Sequence, residues 1–211
     1  MHVEKRQPRN RPETLVRRRE ILDAAVEIFG SKGYVGGTLG DIADQVGMTH
    51  AGILHHFGSK DQLLLAVLLH RDETDVAGLE GQHIPDGMEL FRHLVKTAFR
   101  NEERPGIVQA YTVLSAESVT DDHPGREFFQ TRYRTLRSEV DHAFRAVCAE
   151  RGVDTPRTVD RAAASILAVM DGLQVQWLLD PDRVELAEAS QFAIEALVAA
   201  VLSPQPSAVN A

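Results

Sequence analysis

Apolar residues recur at three- and four-residue intervals along most of the chain, the period of a helix buried on one face. Leu15, Ile21, Leu22, Ala25, Ile28 and Phe29 make the first such stripe, which predicts a helix capped by Thr14 and running to about Lys32. Gly33 is expected to end it, with Gly36-Gly37 as a turn. Leu39, Ile42, Ala43 and Val46 then give one face of a two-turn helix, and Thr38 and Asp41 are spaced as a capping box. Gly47 suits the left-handed conformation that stops this helix, Met48 reads as a buried plug, and Thr49 caps a second short helix, HAGILHHF. Ile53, Leu54 and Phe57 of that helix face the core. Gly58 and Ser59 stop it and cap the next, which carries Leu63, Leu64, Ala66, Val67, Leu68 and Leu69.

Two short helices joined by a three-residue turn around a glycine form a helix-turn-helix pattern. Ala43 is small where the helices cross, and Gly47 is small where the chain turns. Beyond it, Thr74 to Gly87 reads as a hinge or loop, with three Gly and one Pro. Five more helices are expected near 87–102, 105–120, 125–151, 156–180 and 183–202. Pro105 and Pro124 suit first-turn positions, and Pro156 and Pro181 fall between elements. No segment alternates with a period of two, so the expected fold class is all-α. The expected divisions are a basic disordered arm (1–13), a three-helix helix-turn-helix domain (14–60), a helical ligand-binding and dimerisation domain (61–203) and a disordered tail (204–211).

Composition sharpens this reading. Aromatics are only 6%, and Ala, Leu and Val carry the apolar content, which favours helices over a β-sandwich. The one cysteine, Cys148, excludes an internal disulfide or a cysteine zinc finger. No run approaches the roughly 20 uninterrupted apolar residues of a membrane span, and the N-terminal residues lack the apolar core of a secretory signal; a cytoplasmic location is expected. The net charge of −8 is uneven. Residues 1–19 hold 7 basic and 2 acidic residues, whereas residues 61–211 hold 14 basic and 24 acidic. A basic end on an acidic body suits a polyanion-binding head.

From Ile21 to Leu69 the chain resembles the TetR family of bacterial transcriptional regulators. The resemblance rests on IL-AA--IF---G (Ile21 to Gly33), T---IA---GM (Thr38 to Met48), the run ILHHFGSK from Ile53 to Lys60, with its isoleucine, glycine, serine and lysine, and the leucines that follow. It implies a homodimer with recognition helices in adjacent major grooves and a C-terminal domain that senses a small ligand. One departure is Leu54, where the family most often has a phosphate-donating tyrosine; His55, His56 or Lys60 are the substitutes at hand. Gly40 also stands where many relatives carry a polar residue. MDGLQVQWLLDP, from Met170 to Pro181, resembles the penultimate helix of a branch common in actinobacteria, which with the last helix forms the dimer interface.

The expected DNA face follows from where such helices meet DNA. Thr49 is suited to phosphate or bases, His50 to guanine N7 or O6, Ala51 to a thymine methyl, and Gly52 to close backbone approach. Lys60, Thr38 and the Arg17–Arg19 run are placed for phosphate, with His55 and His56 beside them. For a small-molecule pocket the candidates are Phe99, Tyr111, Thr112, Ser115, Phe129, Tyr133, Met170 and Gln174. They come from an aromatic stripe (Phe128 to Val147), its neighbours and the polar residues that interrupt an apolar helix, Asp171, Gln174 and Gln176. Glu89 and His93 share a helix face, but no metal-ligand spacing accompanies them, and no metal or cofactor is expected. No nucleophile elbow or phosphate loop is present, so no enzyme is expected. Dimerisation is expected through two stripes, Ile166, Val169, Met170, Leu173 and Trp177, and Leu186, Ala193, Leu197 and Val201. The function that follows is a ligand-responsive repressor of operator DNA. The alternative is a helical small-molecule-binding protein without operator binding.

Overall fold

Local capping chemistry sets the first four helices. A computed structural model describes residues 12–76, 84–154 and 158–203. Helix α1 (Pro12–Gly36) begins on a proline, whose missing N–H is no loss in a first turn. Thr14, expected as the cap, therefore lies inside that turn. Helix α2 (Leu39–Gln45) opens on a full capping box: Thr38 Oγ1 accepts the Asp41 N–H at 3.0 Å, and Asp41 accepts the Thr38 N–H at 2.9 Å. Gly47, at φ 65°, makes the turn. Helix α3 (His50–Phe57) is capped by Thr49, which accepts the Gly52 N–H at 3.1 Å. Ser59 does the same for α4 (Lys60–Val76) through the Gln62 N–H.

The remaining helices are α5 (Gly87–Glu102), α6 (Pro105–Glu117), α7 (Arg126–Glu150), α8 (Val159–Leu179) and α9 (Leu186–Leu202). Helix α6 stops three residues before the expected end because the chain turns at Ser118–Asp122, where Asp122 adopts φ 61°. Pro105 is in the first turn of α6, but Pro124 precedes the cap residue Gly125 and stands outside α7. The expected tail, Pro156, residues 1–11 of the expected arm and half of the expected hinge lie outside the described residues (1–11, 77–83, 155–157 and 204–211). Where they are described, the last two arm residues belong to α1, Thr74–Val76 of the hinge continue α4, and Gly87 opens α5.

Two large cores and a small third one, around Val108, Trp177 and Leu186, hold the described helices. Ile21, Ala25 and Phe29 of α1 pack with Ile42, Ala43, Ile53 and Phe57, and the same cluster continues through Leu63, Leu64 and Leu68 of α4 into Tyr111, Leu114 and Phe129. The packing unit of the head thus runs past residue 60 and is continuous with α6 and α7. The second core joins α5, α7, α8 and α9 around Phe91, Phe144, Val147, Ile166 and Ile194, with the Phe91 and Phe144 rings 4.6 Å apart. Helix α8 is long and apolar enough to cross a membrane by composition, yet it packs between α7 and α9.

The expected dimer stripes need correction. Ile166, Met170 and Trp177 are buried within the protomer, as are Leu186 and Val201, and Leu197 is half-buried against the second core. Apolar residues occur all around α8, so the periodicity picked the inward face. The exposed faces are Ala164, Ala168, Val175 and Leu179 on α8, and Phe192, Ala196 and Ala200 on α9.

Candidate DNA-binding face and effector site

Helix α3 presents its N-terminal turn to solvent: Thr49, His50 and Ala51 are exposed, Gly52 is half-buried, and Ile53 and Phe57 anchor the opposite side. Thr49 uses its oxygen as a cap acceptor, which leaves its hydroxyl proton to donate outward. Thr38 differs, because its hydroxyl donates to Asp41 at 2.7 Å while accepting from the Asp41 N–H. A phosphate contact from Thr38 requires it to give up that bond. The Lys32 ammonium, 2.7 Å away, and the Thr38 groups hold Asp41 well below the usual carboxylate range.

The basic residues around the helix have distinct jobs. Arg17 is exposed and, among the described residues, pairs with Glu20 alone, at 2.6 Å, a solvent-exposed pair that phosphate can replace at little cost. Arg18 is structural: it donates to the His56 carbonyl at 2.6 Å, and its guanidinium lies 4.0 Å over the Phe57 ring. Arg19 pairs with Asp23 at 3.1 Å. Lys60 rests 4.4 Å over the Tyr34 ring, whose hydroxyl donates to Asp61. Burial pulls the Lys60 ammonium below its ordinary value, against the pull of Asp61, Glu117 and Asp41. Leu54 is half-buried, His55 is exposed, and His56 is half-buried, its ring 5.8 Å from that of His55.

Four histidines share one electrostatic feature. His56, His70, His93 and His123 are all shifted down by burial; His55, Arg18 and Arg17 add to it at His56. A depressed histidine stabilises the fold above its unfolded value near pH 6.5, and that stability is lost as pH falls through the folded value. The melting temperature is therefore expected to drop by a few degrees between pH 7.5 and 5.5. Asp171, Asp72 and Glu139 are shifted up and act in the opposite sense at lower pH. A flat profile that His123→Gln leaves unaltered would contradict this.

A polar junction between head and body joins α1 to the end of α6, at residues that no sequence pattern singles out. Gly33, expected as the end of the first helix, breaks the helical backbone of α1 in a kink at φ 69°, and a Cβ there would collide with the Glu117 carboxylate at the end of α6. The other Glu117 oxygen accepts the Tyr34 N–H at 2.7 Å. His123 packs edge-on against the Tyr34 ring, and its Nδ1 meets Ser118 Oγ at 2.9 Å and the Gly125 N–H at 3.1 Å. These contacts tie the last turn of α6 and the turn after it to α1.

Of the spaces in the body, two adjoin each other at Tyr133. An inner cavity of about 70 Å³ is lined by Tyr111, Tyr133, Met170 and Gln174, four of the expected pocket residues, together with Arg71 and Asp171. Around it runs an ion network that sequence reasoning missed. Arg71 bridges Asp72 at 3.1 Å and Asp75 at 2.9 Å, Arg104 also pairs with Asp75, and Arg132 reaches Asp72 at 3.2 Å. Burial opposes the Arg71 charge, but the carboxylates and Tyr111 raise it above its ordinary value. Tyr133 donates to Asp171 at 2.6 Å, and burial lifts the Asp171 carboxyl above the usual range. On the outer side a cleft of about 710 Å³ is lined by Ser115, Phe129 and Tyr133 with three arginines.

The other candidates fall elsewhere. Thr112 has a buried hydroxyl without a protein partner but borders neither space. Phe99 is 43% exposed, because the helix phase places it with Arg92 and Lys96 on the outer face of α5. Gln176 is exposed and donates to the Gly172 carbonyl, so it is not a buried polar group. Glu89 pairs with Arg92, while His93 is buried beside the inner cavity.

Comparison with known proteins follows the same division. Residues 21–67 match the profile of bacterial regulatory proteins of the tetR family, and residues 88–203 match that of the BetI-type transcriptional repressor, C-terminal. The chain belongs to the TetR family. Within it, the chain is 30% identical to the HTH-type transcriptional regulator BetI of Rhizobium meliloti (strain 1021) over 190 residues, 87% of this chain and 85% of that one. Among solved structures, it is similar to Salmonella enterica GusR, with a TM-score of 0.69 at 21% identity over 90% of this chain and 99% of that one. It is also similar to SmeT, the repressor of the Stenotrophomonas maltophilia multidrug efflux pump SmeDEF, with a TM-score of 0.68 at 20% identity over 87% and 89%. SmeT has been solved with triclosan as well. This TetR-family chain is thus a DNA-binding transcriptional regulator with a BetI-type C-terminal domain.

Proposed function

We propose that the regulator is a repressor whose homodimer holds a palindromic operator and releases it when a small molecule enters the body. The observation that carries this reading is the continuous path from the space between α6 and α7, through Glu117, to Tyr34 and the head. An effector that binds one α6 position better than the other shifts the head, and only such differential affinity can do so. SmeT, a repressor that binds triclosan, offers a precedent in the same fold. Thr49, His50, Ala51 and Gly52 read bases, while Arg17, Lys60, His55 and His56 serve the backbone, Lys60 after leaving Tyr34.

The dimer forms through α8 and α9, by the exposed small and apolar faces rather than the stripes buried in the protomer. Phe192, 75% exposed, is the large apolar side chain on the α9 face. Phe192→Glu is expected to reduce the light-scattering mass to that of one 23.3 kDa chain while the melting temperature of the monomer fold changes little. A wild-type mass of one chain would remove the dimer. The second reading, a small-molecule-binding protein without operator binding, draws on Leu54 and on the internal engagement of Thr38 and Lys60. A gel shift on DNA upstream of the gene separates the two.

A further inference from the structure

The cleft between α6 and α7 is chemically unlike the body around it. Residues 61–211 carry 14 basic and 24 acidic side chains. Yet the cleft is lined by Arg126, Arg134 and Arg137 and by no carboxylate. Arg126 is committed to the turn before α7, donating to the Val119 carbonyl at 2.6 Å and the Thr120 carbonyl at 3.1 Å. Arg134 and Arg137 are not so committed. Arg134 reaches only the Gln130 carbonyl at 3.3 Å and the Thr131 hydroxyl at 3.5 Å, both on its own helix. Arg137 has no hydrogen-bond or ion-pair partner among the described residues.

Two aromatic side chains, Phe129 and Tyr133, line the same cleft as these two guanidinium groups. Phe129 is 4% exposed, and the ring of Tyr133 lies beside it, 6.4 Å between centroids. Small-molecule sites commonly measure about 300–1,000 Å³. The cleft, at about 710 Å³, and three other grooves of the body, at about 500, 500 and 340 Å³, fall in that range, and of these four the cleft alone is lined, among the described residues, without a carboxylate; the inner cavity, at about 70 Å³, is well below it. A planar, permanently charged guanidinium matches carboxylate, sulfonate and phosphate oxygens in pairs.

We propose, resting on the ligand-responsive reading above, that the effector is a small organic anion with a flat apolar body. Arg134 and Arg137 hold its acidic group, and Phe129 and Tyr133 receive its body. Such an occupant touches both halves of the signalling path. Tyr133 lines the cleft and the inner cavity, and its hydroxyl holds Asp171. Ser115 of α6 and Ser118, the residue after its last, Glu117, line the cleft, and Glu117 accepts the Tyr34 N–H.

The test is a fluorescence titration of the full-length protein with 8-anilinonaphthalene-1-sulfonate, an aromatic sulfonate. Saturable binding at one site per chain is expected. The double variant Arg134→Gln/Arg137→Gln is expected to bind about tenfold more weakly or worse, since a charged hydrogen bond contributes on the order of a factor of ten. Both side chains are exposed, so the variant should keep its helical circular dichroism. N-phenyl-1-naphthylamine, which lacks the sulfonate, is expected to bind the wild type about tenfold more weakly than the sulfonate does. Arg92→Gln/Lys96→Gln, in the separate groove between α5 and α9, should leave the sulfonate affinity unchanged. The proposal is overturned by no saturable binding below about 1 mM, by unaltered affinity in the Arg134/Arg137 variant, or by equal affinity for the uncharged probe. The titration contains no DNA, so its failure leaves the operator reading standing, and absence of operator binding leaves the titration result standing.

Discussion

Asp75→Ala is expected to lower unfolding stability by about 3–5 kcal/mol, a large part of the roughly 5–15 kcal/mol that holds a domain folded. The Asp75 carboxylate is only 7% exposed and is shared by Arg71 and Arg104. Without it, two guanidinium groups are left in the interior short of a counter-charge, and Arg71 keeps only Asp72. The Arg100 bond to the Asp75 backbone carbonyl survives the change, so the loss comes from the carboxylate. Asp75→Asn keeps an acceptor and is expected to cost less. Asp23→Ala, which breaks an exposed pair with Arg19, is expected to shift stability by no more than about 0.5 kcal/mol. Urea unfolding of the three variants checks the order. An Asp75→Ala midpoint equal to that of Asp23→Ala would show that the network is not what holds α4 to α6 and α7.

Ala51→Glu is expected to abolish operator binding, with affinity down by at least about 100-fold, while the melting temperature stays within a degree or two. Ala51 is exposed on the N-terminal turn of α3, so the fold has nothing to lose. A carboxylate there faces phosphates at close range and displaces the apolar contact with a base. His50→Ala is the milder companion: about 1–3 kcal/mol at one operator position, with little change in salt dependence. Fluorescence anisotropy on a labelled duplex reads both. Full operator affinity in Ala51→Glu would move the DNA face off this turn.

The helix-turn-helix was legible in the sequence because its determinants are local. The Thr38–Asp41 box, the small Ala43 and Gly47, and the Thr49 cap each act within a few residues. The ion network was not legible, since Asp75 falls in the stretch expected as a hinge or loop, and nothing near Arg71 and Asp72 in sequence marks them as interior; α4 in fact continues through Asp75 to Val76. Only the packing of α6 and α7, which bring Arg104 and Arg132, makes them interior. The Gly33–Glu117 junction was hidden for the same reason: its partners are 84 positions apart. Helix α8 failed differently. Apolar on nearly every side, it offers no phase by which to tell the face toward the protomer from the face toward a partner. Phe99 is a miss that the sequence could have prevented, since Arg92 and Lys96 mark its side of α5 as solvent-facing.

The most direct measurement is equilibrium binding of the purified regulator to DNA from upstream of its own gene, read by anisotropy over a range of salt concentrations. Expected is saturable binding to one palindromic stretch, at least about a thousandfold tighter than to scrambled DNA, with an affinity that falls steeply as salt rises. Equal, weak binding to both duplexes at low salt would contradict operator recognition and leave only the small-molecule-binding reading.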